Sequence, residues 1–93
     1  MSRAVRVVIS GRVQGVWYRG WTCEQAGVLG LTGWVRNRRD GTVEALLMGD
    51  PDLVEAMIAR CHDGPPAARV IDIRVETAEV DHGVSGFEAR PTV

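Results

Sequence analysis

Lysine is absent from this 93-residue chain, and all eleven basic residues are arginine. That absence removes any Schiff-base or lysine-nucleophile chemistry. It also excludes the Walker A loop, whose lysine reaches the phosphates of a bound nucleotide. With abundant Ala, Gly and Val, the arginine usage points to genomic base composition and a bacterial source. Cysteine is scarce: Cys23 and Cys61 alone cannot build a disulfide framework or a zinc site. Each falls within a predicted helix, where a small buried apolar residue is the plain reading. Aromatic residues make up only 5% of the chain, with one Phe and one Tyr. The Gly-Phe-Gly-Phe type motif of RNA-recognition domains is missing. No surplus of positive charge exists either. A net charge of −1 and a pI near 6.1 argue against a general nucleic-acid binder.

Long apolar runs are missing as well. No stretch suits a transmembrane helix, and the opening Met1-Ser2-Arg3-Ala4-Val5 has no secretory h-region. A cytoplasmic location, no membrane partner and no nucleic-acid partner are therefore expected. The apolar share of 45% and charged share of 25% are those of an ordinary globular domain. Ninety-three residues suffice for one hydrophobic core, so residues 1–93 read as one domain.

What is present has a clear order. Ala4 to Ser10 reads as a strand with Val5, Val7 and Ile9 on one face. Gly11 to Trp17 forms a loop with two glycines, and a helix follows from about Tyr18 to Leu29, stopped by Gly30. Leu31 to Arg38 is a second strand. Asp40-Gly41 marks a hairpin turn, and Thr42 to Met48 returns with Val43, Ala45 and Leu47 on one face. Asp50 suits the N-cap and Pro51 the first position of a second helix. Its apolar stripe is Leu53, Met57 and Cys61, widened by Val54 and Ile58. Gly64-Pro65-Pro66 ends that helix. Ala68 to Val80 holds a long strand with Ile71, Ile73 and Val75 inward, and Phe87 to Arg90 adds a short last one. The predicted fold is α+β: a ferredoxin-like split βαβ sandwich, βαββαβ plus a C-terminal strand, with two helices on one face of an antiparallel sheet.

Chemistry concentrates in the first loop, Gly11-Arg12-Val13-Gln14-Gly15-Val16-Trp17-Tyr18-Arg19. A glycine-containing turn that delivers the chain onto a helix offers consecutive main-chain N–H groups to an anion. The helix end adds about half a positive charge. Arg19 falls in the first helical turn, where a cation is unfavourable on dipole grounds. A bound anion clasped by the guanidinium would account for it. A loop that needs glycines for its backbone, beside a solvated arginine, remains open as the alternative. Asn37, near the end of Gly33-Trp34-Val35-Arg36-Asn37, is a poor strand former. It either starts the turn or presents an amide that orients a water molecule.

Taken together, Gly11–Val16 with the aromatic pair Trp17-Tyr18 and Arg19, then Gly30-Leu31-Thr32-Gly33-Trp34-Val35-Arg36-Asn37 and Asp40-Gly41-Thr42-Val43-Glu44, resemble the acylphosphatase family. The likeness covers nearly the whole chain in order and length. It implies hydrolysis of the carboxyl–phosphate bond of small acyl phosphates to a carboxylate and inorganic phosphate. It further implies that the main chain of Arg12, Val13, Gln14, Gly15, Val16, Trp17 and Tyr18, with the Arg19 side chain, binds the substrate phosphate. Asn37 would position the attacking water. Neither metal nor cofactor is implied, and a monomer is expected. Trp17-Tyr18 stands where phenylalanines are frequent, and Glu88-Ala89-Arg90-Pro91 lacks an aromatic that often follows the arginine.

Other mechanisms lack their residues. The position after a five-residue spacer from each cysteine is Leu29 or Ala67 rather than arginine, so no Cys-x₅-Arg arrangement exists and a phosphocysteine route is disfavoured. His62 and His82 read as surface residues without metal-ligand spacing. Two weaker alternatives are a detached domain of a hydrogenase-maturation carbamoyltransferase and a ferredoxin-like binding or regulatory module without catalysis.

Overall fold

The computed structural model describes residues 2–93. Along the chain come β1 (Arg3–Arg12), α1 (Tyr18–Val28), β2 (Thr32–Asn37), β3 (Val43–Gly49), α2 (Pro51–Asp63), β4 (Arg69–Thr77) and β5 (Phe87–Arg90). The sheet order is β4-β1-β3-β2-β5. The first four strands pair antiparallel, as the patterning leads one to expect. β5 joins parallel to β2, from Gly33 opposite Phe87 to Arg36 opposite Arg90, so the sheet is mixed at this edge rather than antiparallel throughout as expected.

Alternation decides the faces. Val5, Val7 and Ile9 of β1 meet Val35 of β2 and Val43, Ala45 and Leu47 of β3 in one buried cluster. Tyr18 and Ala26 of α1 and Val54, Met57, Ile58 and Cys61 of α2 close it from above. Each such aliphatic side chain, fully buried, contributes roughly 1.5–3 kcal/mol of transfer free energy. Both helices therefore lie on the same face.

Capping follows the residue chemistry. Asp50 Oδ1 accepts from the Asp52 N–H at 2.9 Å, and Pro51 occupies the first turn of α2. α1 ends at Leu29 as its cap, followed by Gly30 at φ 70°.

Three sequence expectations need correction. β1 continues beyond Ser10 to Arg12, because a bulge lets it keep pairing with β4. Gly11 allows this: its φ is 126°, and a β-carbon there would collide with the Arg69 carbonyl oxygen. The same bulge reverses the alternation in β4. Ser10 faces Asp72 and Gly11 faces Val70, so Ile71 is skipped and stands 79% exposed. Val70 packs on the core in its place, beside Ile73, which faces inward as expected. Val75 lies opposite Val7 but remains 41% exposed on this edge strand. Finally, Leu53 sits at the flank of the α2 stripe and is exposed. At 100° per residue, Val54, Met57, Ile58 and Cys61 centre that stripe without it.

Candidate active site

The loop from Val13 to Trp17 is shaped by what its side chains bury. Val13, Val16 and Tyr18 all drop into the core, which pins the main chain between them. Gly15 turns the chain at φ 73°, a region costly for residues with a β-carbon. Among the described residues, no main-chain N–H from Gln14 to Gly20 donates to a protein acceptor. The first bond of α1 comes only at Trp21, whose N–H donates to the Trp17 carbonyl at 3.0 Å. No side chain caps this helix end and no acid stands in its first turn. Among the described residues nothing compensates the partial positive charge there.

Tyr18 holds the helix end in place. Its hydroxyl donates to the Cys61 carbonyl at 2.5 Å, tying α1 to the last turn of α2. Burial raises the Tyr18 hydroxyl pKa well above its ordinary value, so it stays a donor. Burial likewise pushes the Cys61 thiol up to about 12 and raises that of Cys23. Neither thiol is a nucleophile at neutral pH. His62 and His82 are both exposed.

A cavity of about 270 Å³ opens at the cradle, lined by Val13, Gly15, Trp17, Tyr18, Arg19, Gly20, Asn37 and Ala89. Arg19 is half-buried and, among the described residues, makes no ion pair or side-chain hydrogen bond. Asn37 ends β2 opposite Val43, just before the turn. Its main-chain carbonyl accepts from Val93 N–H at 3.2 Å, and the residue lines the cavity. The structure thus brings Arg19 and Asn37, separate in sequence, to one space without a carboxylate.

Of the other predicted loop residues, Val13, Gly15, Trp17 and Tyr18 line the cavity, whereas Arg12, Gln14 and Val16 do not. Arg12 lies in β1, exposed and opposite Arg69. Gln14 has a part that its main chain alone does not suggest. Its Nε2 donates to the Arg38 carbonyl at 2.7 Å and the Thr42 carbonyl at 2.9 Å. One amide thereby bridges the cradle to the hairpin that carries Asn37. Nothing in the local spacing announces a contact across 24 residues. The hairpin is stiffened further by Asp40, whose Oδ1 accepts from the Thr42 hydroxyl at 2.6 Å and N–H at 2.9 Å. Those bonds, the hydroxyl's first, hold the Asp40 carboxyl below its ordinary pKa.

Fold and site define a class: a ferredoxin-like α+β sandwich whose first strand–helix loop presents unpaired amides beside an unpaired arginine. Within that class the acylphosphatase family model matches residues 5–89, and the chain belongs to the acylphosphatase family. An acylphosphatase of Rhodospirillum rubrum is 56% identical over 91 residues, covering 98% of this chain and 99% of that one. An acylphosphatase structure from Coxiella burnetii superposes with a TM-score of 0.91 at 35% identity, covering 96% of this chain and 93% of that one. Full-length HypF, in its phosphate- and nucleotide-bound form, matches with a TM-score of 0.90 at 26% identity. That match covers 99% of this chain but 12% of HypF.

Proposed function

We propose that the chain hydrolyses small acyl phosphates, with the cradle amides and Arg19 holding the phosphate and Asn37 orienting the attacking water. The observation that carries this is that Gly15, Trp17, Tyr18 and Gly20, whose N–H groups have no protein acceptor among the described residues, line one cavity together with Arg19 and Asn37. Three equatorial phosphate oxygens carry the charge that develops in a loose phosphoryl-transfer transition state. Consecutive N–H donors at a helix end and a bidentate guanidinium match that charge without rearrangement. Asn37 approaches from β2, so its amide can hold a water in line with the scissile bond.

Water oxygen bonds to phosphorus as the bond between phosphorus and the acyl oxygen breaks. The bonding electrons leave with the carboxylate, a stable leaving group. A phosphate oxygen of the substrate takes the proton from the water, so no side-chain base is required. Support for this comes from the lining, which holds no carboxylate or histidine.

The test is direct: purified protein with benzoyl phosphate should release benzoate and inorganic phosphate in equal amounts. Phosphate binding without turnover would favour a binding module and overturn the hydrolase reading. Among the described residues no three His, Cys, Asp or Glu side chains group so as to hold a metal ion. Turnover should therefore survive excess EDTA, and loss restored by Mg²⁺ or Zn²⁺ would refute the mechanism. A single domain over residues 1–93, monomeric and cytoplasmic, belongs to the same proposal. Light scattering and cell fractionation test those points.

A further inference from the structure

One wall of the cavity lies outside the hydrolytic machinery: the side chain of Trp17. Trp17 is the one non-glycine residue with a positive φ, 67°, among the described residues. A bulky residue is strained in that region, and such strain gathers at functional sites. The residue is also 58% exposed, so its apolar surface is open to a ligand. It is nevertheless held in position. A β-carbon on Gly20 would collide with indole Nε1, Cε2 and Cδ1, so the ring rests against the bare Cα of the next turn. Ala89 of β5 and Val13 add further apolar lining, and Arg19 is the only charged group of the lining.

A phosphate held by the cradle and Arg19 leaves its acyl group to extend past this ring. An acetyl group is too short to cover an indole, whereas a flat aromatic acyl group can stack on it. We propose that Trp17 is a specificity-determining residue that selects acyl phosphates with an aromatic acyl group over short aliphatic ones. This rests on the hydrolase reading above.

The experiment is the ratio of kcat/KM for benzoyl phosphate to that for acetyl phosphate, compared between wild type and variants. The two substrates differ in leaving-group chemistry, but that difference is common to all variants and cancels in the comparison. Trp17→Ala should lower the ratio about three- to tenfold, the usual worth of an aromatic pair. Trp17→Asn tolerates the left-handed backbone and should give the same drop. Trp17→Phe should retain most of the preference. Gly20→Ala, which displaces the indole without removing it, should lower the ratio too. If wild type hydrolyses both substrates and the ratio is unchanged in Trp17→Ala or Trp17→Asn, this inference is overturned and the hydrolase reading stands. If wild type hydrolyses neither, both fall together.

Discussion

The arginines on the two faces of the sheet are treated very differently. On the face turned away from the helices, Arg36 Nε lies 2.8 Å from Glu44 Oε1, and Arg6 Nη2 lies 2.7 Å from Glu76 Oε2. Arg36 and Arg90 also flank the Trp34 ring, at 4.5 and 5.2 Å from its centroid. Glu44 is buried, yet its charge is answered by Arg36 and, at 3.6 Å, by Arg6. On the helix face, Arg19 lines the cavity and, among the described residues, pairs with no carboxylate. A positive charge beside a helix N-terminus is unfavourable unless an anion joins it. The difference separates two uses of one residue type. Arg6 and Arg36 on the open face are tied to carboxylates, whereas Arg19 has no such partner among the described residues, as the phosphate-binding part proposed for it requires.

Removing charges tests that separation. Arg19→Ala should cost on the order of 10³-fold in kcat/KM, by analogy with arginines that stabilise transferring phosphoryl groups. Arg19→Lys should recover little of it, since a point charge lacks the bidentate fork. Steady-state kinetics with benzoyl phosphate decide this, and near-normal Arg19→Lys would break the clamp. Asn37→Ala should lower kcat by about 10²-fold, comparable to loss of one preorganised polar group. Its phosphate affinity, measured by product inhibition, should hardly move.

Gln14→Ala unties the cradle from the hairpin and leaves the Arg38 and Thr42 carbonyls without that donor. About a tenfold fall in kcat is expected, because misplacement of about 1 Å is already costly to a positioned reaction. A variant with unaltered kcat would reduce Gln14 to a structural tie. The smallest effect on activity belongs to the other face. Glu44→Ala should destabilise the fold by about 1–2 kcal/mol, through loss of a charge-assisted bond, with kcat unchanged. Urea unfolding and kinetics on the same preparation check both halves. A large loss of kcat there would erase the distinction between the faces.

Much of this layout is legible in the chain itself, for reasons that can be named. Period-two alternation in Val5-Val7-Ile9 and Val43-Ala45-Leu47, the Asp40-Gly41 turn and the Asp50-Pro51 start are local signals, and local signals survive folding. Arg19 is conspicuous in the sequence because it offends the helix dipole. The failures share a different origin. Ile71 faces solvent because a bulge pairs it with nothing, and bulges depend on a partner strand far away in sequence. The parallel docking of β5 and the Gln14 bridge are likewise long-range. The orientation of Trp17 depends on a missing β-carbon at Gly20, one turn further on.

The most direct test of the central claim is a thermal melt with and without inorganic phosphate, on wild type, Arg19→Gln and Asn37→Ala. A ligand that binds only the folded state at ten times its Kd stabilises it by about 1.4 kcal/mol. For a domain of this size that raises Tm by roughly 5–10 °C. Sulfate, also tetrahedral and dianionic, should act similarly, and chloride at matched ionic strength should not. Wild type and Asn37→Ala should show the shift, and Arg19→Gln should lose most of it. An equal shift in wild type and Arg19→Gln would mean that phosphate binds elsewhere, contradicting the site.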